Sequence, residues 1–328
     1  MYDVIALGEI LVDFISKERN KAGYPVLEGN PGGGPPNFAA ACAKLGLRTA
    51  FIGKVGNDMF GDLLIDTLNK SNIDTRFVVR DDGHFTTLAF VSLAPDGERS
   101  FSFSRKLSAD IMLTEEELPK DALETCKAFH FSSLSLIHEP SASATKAAVG
   151  IVKKAGAVVS FDPNYRDKLW DDADYARKQI SYGVGVCDVL KLSEEELLLL
   201  YDAPLDEAAA RLLRENPNIK IMYVTLGSEG ARIYSGKRSF HIPAFRLDCA
   251  DTTGAGDIFG GSAMYQLLQY DKKPEDLTEE ELRRIGVFAT AAAAISTLTF
   301  GGIPSAPDLQ TVEAFLKTTE NGNVIERD

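Results

Sequence analysis

Short apolar runs alternate with helical patterns along most of this chain, and this alternation limits the fold more than any other feature. The apolar run at residues 2–8 precedes a helical pattern over residues 36–46, and the run at 49–56 precedes another over 58–70. Strands that alternate with helices are typical of β-α-β units around a largely parallel sheet. We therefore expect an α/β fold with a mostly parallel central sheet.

The same alternation returns as far as residue 227. Ligands of open parallel sheets bind at the carboxyl ends of the strands. These ends are expected together at one edge of the sheet, near Gly8, Gly53, Asp162, Ser193 and Gly227.

Two segments interrupt the alternation. Residues 86–105 form two alternating apolar and polar stretches around a Pro-Asp-Gly turn, which predicts a hairpin, and residues 11–31 lack helical periodicity. A small sheet is not stable alone, so we expect it to cover the core as a lid. The predicted division assigns residues 11–33 and 84–108 to a discontinuous β lid, and residues 1–10, 34–83 and 109–328 to an α/β nucleotide-binding and catalytic core.

The stretch "DTTGAGD", residues 251–257, places an acid behind three small residues at the start of a helical pattern. A helix N-terminus has unpaired amides and a partial positive charge, and small residues let an anion approach closely. This pattern favours an anion site with a carboxylate beside it. The same residues would also serve as a helix cap, a tight turn and a favourable charge on the helix dipole, so they do not decide alone.

Composition excludes several classes. Hydrophobic residues make up 45% of the 328 residues, which is typical of a globular protein with a substantial core. The net charge of −13 argues against nucleic acid or an anionic membrane as a partner.

The N-terminal stretch lacks the pattern of a signal peptide, so a cytoplasmic location is expected. The cysteines have no metal-site or redox spacing, so we expect reduced core thiols at Cys42, Cys126, Cys187 and Cys249.

A second glycine-rich element, "GNPGGGPPNF", precedes the first predicted helix. Its glycines permit close backbone approach, and Asn37 adds a polar group to an apolar helix face. A plain loop that feeds a helix cap would need no run of glycines, so a ligand site is favoured. The chain has no Walker A motif, and a nicotinamide enzyme is a weak alternative, because "GAGDIFG" lies far from the first β-α turn.

The two stretches "GGGPPNFAAACAKLGLRTAFIGKVGNDMFG" and "DTTGAGDIFGGSAM" resemble the signature regions of the ribokinase-like (PfkB) carbohydrate kinases. The resemblance covers essentially the whole chain, and within that family the chain is most similar to fructokinases, through "GEILVDF", "FHFSSLSLIHEP" and "FDPNYRDKLW". It implies a three-layer α/β/α core with a small β-sheet lid. It also implies ATP-dependent phosphorylation of D-fructose to fructose 6-phosphate, with Mg²⁺ and, in some members, K⁺. A homodimer through the lid is expected for a separate reason, because the predicted small sheet has an apolar face with no covering helix.

By this resemblance Asp257 is the general base, and the amides of Gly254, Ala255 and Gly256 stabilise the transferring phosphoryl. Sugar and phosphate contacts are implied at Asp13, Gly33, Asn37, Asn164 and Arg166. ATP contacts are implied at Thr225, Gly227 and Gly230. The implied cation groups are Glu196, as an outer-sphere Mg²⁺ group, and a K⁺ site at Asp251, Ser296, Thr299, Gly301 and Ser305. Ser193 stands where the family has Asn, which changes the metal motif.

Three alternatives stay open at the level of the sequence. A sibling kinase for 2-keto-3-deoxygluconate would use Arg105 and Arg166 to bind the substrate carboxylate. A non-enzymatic sugar sensor would have no need of Asp257. A dinucleotide oxidoreductase is the most remote.

Overall fold

The computed structural model describes residues 1–93, 99–270 and 272–320. Its strands are β1 (Val4–Leu7), β2 (Leu11–Arg19), β3 (Pro25–Gly32), β4 (Thr49–Gly56), β5 (Ile73–Asp81), β6 (Thr87–Leu93), β7 (Arg99–Ser104), β8 (Ala128–Ser132), β9 (Val158–Asp162), β10 (Val189–Ser193), β11 (Ile221–Thr225), β12 (Ala231–Ser235) and β13 (Arg238–Ile242). Its α-helices are α1 (Gly34–Lys44), α2 (Met59–Lys70), α3 (Lys120–Leu123), α4 (Ser141–Ala155), α5 (Ala173–Val186), α6 (Glu194–Leu200), α7 (Leu205–Glu215), α8 (Ala255–Gln269), α9 (Glu279–Ser296) and α10 (Leu309–Glu320).

A nine-stranded sheet forms the centre of the molecule, in the order β13-β12-β11-β10-β9-β8-β1-β4-β5. Neighbouring strands are parallel from β11 to β5, whereas β12 pairs antiparallel with both β11 and β13. Separate apolar cores pack against it, one including helices α4 and α5 and others including α1, α8 and α9. The predicted α/β fold with a mostly parallel sheet is confirmed.

A separate four-stranded sheet has the order β3-β2-β6-β7. The hairpin predicted around residues 86–105 is present, since β6 and β7 pair antiparallel, and β2 joins them in parallel with β6. The Pro-Asp-Gly turn lies outside the described residues. Phe14 of β2 contacts Phe60 of α2 edge to face at 5.5 Å, so one face of this sheet packs on the core.

Helices α1 and α8 touch through their backbones. A Cβ on Gly261 would lie 2.4 Å from the Phe38 carbonyl oxygen and 2.8 Å from the Ala41 Cβ, so only glycine permits this approach. The Cys42 thiol also donates to the Gly261 carbonyl at 3.4 Å. The two helix N-termini are thereby held side by side at the edge where the parallel strands end.

Two features differ from the expectations. Cys249 is exposed, whereas the other three cysteines are buried as predicted, because Cys249 lies in the irregular segment before α8 and not in a strand or helix of the core. Strands β5, β12 and β13 were not predicted. Strands β5 and β13 are the partly solvated edges of the sheet and lack the continuous apolar runs of central strands, and β12, between β11 and β13, contains the polar residues Arg232 and Ser235.

Asp58 connects the core to the second sheet. Its carboxylate caps α2 by accepting from the amides of Phe60 and Gly61, and it also accepts from the amide and hydroxyl of Thr86, just before β6. These bonds hold the pKa of Asp58 below its usual value against the opposing effect of burial. Within the described residues, no helix is both long and apolar enough to cross a bilayer.

We expect Asp58→Ala to lower the free energy of unfolding by about 2 kcal/mol, because it removes a helix cap together with the bonds to Thr86. Asp172→Ala is the matched control, since Asp172 caps α5 through two amides alone and should cost about 1 kcal/mol. Urea denaturation measures both. Equal losses at the two sites would mean that the Thr86 bonds add no stability.

Candidate active site

The first turn of α8 forms the centre of the site. Gly254 caps the helix with φ 77°, a left-handed conformation that favours glycine, and a Cβ there would lie 3.0 Å from the Asn37 side chain. The Ala255 amide donates to the Thr252 carbonyl at 3.2 Å, so it is already engaged in the turn. Any anion at this helix start would therefore rely mainly on the amides of Gly254 and Gly256.

Asp257 lies in this first turn, and its Oδ2 accepts a hydrogen bond of 2.9 Å from the side-chain amide of Asn37. Burial and the neighbouring Asp162 carboxylate raise the pKa of Asp257 to about 7, although Lys191, Asn37 and Arg166 act in the opposite direction. A carboxylate whose pKa lies near neutrality is suited to accept a proton from a hydroxyl group.

Asn37 lies in the first turn of α1 and is buried, with only 3% of its surface exposed. Its Nδ2 binds Asp257, and its Oδ1, which has no hydrogen-bond partner among the described residues, lies against Gly302, where a Cβ would come within 2.2 Å. The resemblance implied that Asn37 contacts sugar hydroxyls. In the structure its amide orients the Asp257 carboxylate.

Gly33 has a backbone reason to be glycine. Its φ is 122°, and a Cβ would lie 2.6 Å from the Glu9 carbonyl oxygen. The Glu9 side chain, which sequence reasoning did not single out, is buried and accepts from the Gly34 amide and the Ser132 hydroxyl, both at 2.9 Å. Burial raises the pKa of Glu9. Glu9 thus fixes the start of α1 against the end of β8.

The Arg166 guanidinium acts electrostatically on both Asp13 and Asp257. Burial raises the pKa of Asp13 to about 6, while the Arg166 guanidinium lowers it and Asp251 raises it. Arg166 is exposed and donates to the Tyr165 carbonyl at 3.0 Å. An exposed guanidinium between carboxylates remains available to an anionic ligand.

Asn164 lies against the start of α1. Its backbone has φ 43°, and its backbone amide donates to the Asp162 carboxylate at 3.0 Å. A Cβ on Gly34 would lie 2.1 Å from the Asn164 Nδ2, so this side chain occupies the space beside the glycine-rich loop.

Arg105 is 5% exposed and ion-paired with Asp110 at 2.6 Å. Its Nη2 also donates to the Leu134 carbonyl at 3.0 Å, and its Nη1 has no partner within the described part of the chain. The charge that the sequence offered for a substrate carboxylate is thus already compensated by Asp110.

Lys191 was missed by sequence reasoning, because it lies within the apolar strand β10 and no motif marks it. Its Nζ lies 2.9 Å from Asp162 Oδ2. Burial lowers the pKa of Lys191, but Asp162, Glu196 and Asp257 together raise it above its usual value. The ammonium therefore stays charged inside the site.

The segment implied for ATP follows β11. Gly227 has φ 57°, and a Cβ there would meet no atom within 4 Å, so this turn is open to a ligand. Gly230 is glycine for packing, because a Cβ would lie 2.1 Å from the Ile242 carbonyl oxygen. The Thr225 hydroxyl donates to the Leu192 carbonyl at 3.4 Å.

Glu196 is held as a helix cap residue. Its Oε1 accepts from the Tyr165 amide at 2.7 Å, and its Oε2 accepts from the Ser193 amide at 2.8 Å. Ser193, which replaces the family's Asn, completes a capping box at α6. Burial and the Asp162 carboxylate raise the pKa of Glu196.

The five residues implied for K⁺ lie near the end of α9. Asp251 Oδ2 accepts from the Gly301 amide at 3.0 Å. The hydroxyls of Ser296 and Ser305 donate to backbone carbonyls, and the Thr299 amide donates to the Ser296 carbonyl at 3.2 Å. Segments distant in the chain are thereby joined beside the start of α8.

Comparison with known proteins agrees with this geometry. The chain matches the pfkB family carbohydrate kinases over residues 1–309. It is 40% identical over 311 residues to fructokinase-1 of Zea mays, covering 93% of this chain and 94% of that one.

Two solved structures have the same fold. The fructokinase of Xylella fastidiosa with bound ATP has a TM-score of 0.90 at 30% identity and covers 98% of this chain and 100% of that chain. A double mutant of the Vibrio cholerae O395 fructokinase, with fructose, ADP and potassium bound, has a TM-score of 0.86 at 31% identity and covers 96% of this chain and 98% of that chain. This chain therefore belongs to the pfkB family and is a carbohydrate kinase.

Proposed function

We propose that this kinase is an ATP-dependent fructokinase, which transfers the γ-phosphoryl of Mg-ATP to the 6-hydroxyl of D-fructose and releases ADP and fructose 6-phosphate. The observation that carries the proposal is the bond between Asn37 and Asp257 at the start of α8, which holds a partly buried carboxylate beside the amides of Gly254 and Gly256. The fructose- and ATP-bound relatives support the choice of substrates.

Transfer proceeds in line and without a phosphoenzyme. Asp257 accepts the proton of the fructose hydroxyl while the oxygen of that hydroxyl forms a bond to the γ-phosphorus. The bond from that phosphorus to the bridging oxygen breaks, and ADP leaves with the electron pair. Negative charge on the phosphoryl oxygens is stabilised by the amides of Gly254 and Gly256.

The donor set fits a metal held mainly by the nucleotide. Within the described residues, no three His, Cys, Asp or Glu side chains are placed to hold a metal ion. Both Glu196 oxygens accept backbone amides, so Glu196 would contact Mg²⁺ through water. When bound, Mg²⁺ offsets charge on the phosphate oxygens. A monovalent cation would use backbone carbonyls near Asp251 and Gly301. The potassium bound in a relative supports the choice of cation.

In this proposal Asp13 accepts hydrogen bonds from the sugar hydroxyls, and Arg166 pairs with the negative charge of the phosphate. The rival substrate, 2-keto-3-deoxygluconate, would need a further cation for its carboxylate. Arg105 is not suited to that role, since Asp110 neutralises it in a buried ion pair. A neutral sugar suits the site better. A cytoplasmic location stays a prediction from the pattern of the N-terminal stretch.

An assay of ADP release across neutral sugars and sugar acids tests this proposal. Among the compounds tested, we expect fructose to give the highest kcat/KM. We expect no NAD-linked oxidation above background. A preference for 2-keto-3-deoxygluconate would instead assign the sibling kinase activity. ATP turnover that does not depend on any sugar would contradict both kinase activities.

Asp257→Asn should reduce kcat by about 10²–10⁴-fold, because general-base catalysis acts in the transition state. Fructose and ATP should still bind, since Asn can accept the Asn37 hydrogen bond. Steady-state kinetics and calorimetric titration measure the two effects separately.

The control for this variant is Asp248→Asn, which changes an exposed aspartate before α8 and should leave kcat unchanged. Near-normal turnover by Asp257→Asn would reduce Asp257 to a charge on the helix dipole.

Asp13→Ala should reduce kcat/KM for fructose by about 10-fold or more, because each charge-assisted hydrogen bond to a sugar hydroxyl contributes about 1.5–3 kcal/mol. The KM for ATP should change little. Asp248→Ala again serves as the control. If Asp13→Ala has the wild-type kcat/KM, the sugar does not contact this carboxylate.

The second sheet is proposed to act as a lid and to join two chains. Val26 and Leu27 are exposed on its strand β3. Phe85, which precedes β6, and Leu107, which follows β7, are also exposed. Large apolar side chains exposed on a small sheet are typical of interaction surfaces.

We expect a dimer in sedimentation velocity at micromolar protein, and a monomer for Leu27→Asp, which places a charge in the apolar contact. Leu198→Asp is the control, because Leu198 is similarly exposed but lies on α6. A wild-type monomer, or a Leu27→Asp dimer of unchanged affinity, would contradict the lid interface.

A further inference from the structure

Lys191 places a buried positive charge between two parts of the site. It lies on β10, and its Nζ is 2.9 Å from Asp162 Oδ2 on the neighbouring strand β9. The two side chains are only 11% and 4% exposed. An ion pair with so little solvent contact is not screened as a surface pair would be.

The same ammonium touches the first turn of α8. A Cβ on Gly256 would lie 2.8 Å from Lys191 Nζ, so the amine fills the space that a side chain would take. Gly256 immediately precedes Asp257. Lys191 therefore stands between the Asp162 carboxylate and the turn that carries the proposed base.

Four groups face Asp257 from the elements packed around it. Asn37 donates from α1, Lys191 lies on β10, Asp162 ends β9, and Arg166 follows β9. Asp162 disfavours a second negative charge at Asp257, whereas Lys191 and Arg166 favour it. Arg166 is exposed and screened by water, so Lys191 is the buried cation that opposes Asp162.

We propose that Lys191 is a positioning residue for phosphoryl transfer, which binds Asp162 and thereby keeps Asp257 ionised as the base. This inference rests on the proposed function. It assigns the ion pair a role beyond folding, because a purely structural pair would alter stability without changing the ionisation of Asp257.

The test is the pH dependence of kcat/KM for fructose, measured from about pH 5 to pH 9. Because Asp257 has a pKa of about 7, wild-type activity should fall as the pH drops through that value. Lys191→Met should move this acid limb upward by about one pH unit or more, with activity recovering at high pH.

Asp162→Asn should move the acid limb downward, because it removes the negative charge that disfavours ionisation of Asp257. The double variant should titrate between the two single variants. Asp162→Asn also keeps the test decisive if Lys191→Met does not fold. Lys154→Met is the matched control, since Lys154 is exposed on α4 and its loss should leave the limb in place.

A second readout needs no substrate. In protein labelled with carbon-13 at aspartate carboxyls, the signal lost in Asp257→Asn identifies Asp257, and its titration should shift upward in Lys191→Met. If fructose is not phosphorylated but this shift occurs, the proposed function fails and the role of Lys191 in ionising Asp257 stands. A lower activity plateau with an unmoved acid limb and an unmoved carboxyl titration would overturn the inference.

Discussion

The backbone contact between α1 and α8 is the constraint on which the site depends. Gly261 leaves no side chain between the helices, so the α8 backbone lies against the Phe38 carbonyl. That contact sets the two helix starts side by side, which is why Asn37 reaches Asp257 at 2.9 Å. Because the sheet and both helices share apolar cores, the Asn37 amide and the Asp257 carboxylate are brought together at the two helix starts.

Compensation of buried charge is the second constraint. In a chain of net charge −13, three carboxylates of the site each have a different partner: Glu9 accepts from an amide and a hydroxyl, Asp162 binds Lys191, and Asp257 accepts from Asn37. Asp257 receives a neutral donor and not a direct ion pair. Burial and the Asp162 carboxylate then raise the pKa of Asp257 to about 7, which suits a base.

The parallel sheet, the hairpin and the start of α8 could be predicted from the sequence, because each has a local pattern: apolar runs, alternating stretches around a turn, and small residues before a helix. The anion site at the start of α8 stays a prediction. The partners of the side chains could not, since they come from distant segments. Asn37 turned out to bind Asp257, 220 positions away. Gly230 is required by the Ile242 carbonyl, and Arg105 is compensated by Asp110. The ion pair of Lys191 with Asp162 depends on strand adjacency that no spacing in the sequence reveals.

The most direct test of the central claim is to identify the phosphorylated carbon. Uniformly carbon-13-labelled fructose would be incubated with Mg-ATP and the protein, and the product examined by NMR for coupling between phosphorus and carbon. A hydroxyl activated by Asp257 against the α8 amides should give coupling at carbon 6, with no product from Asp257→Asn on the same time scale. Coupling at carbon 1, or the same product at the same rate from Asp257→Asn, would contradict the account.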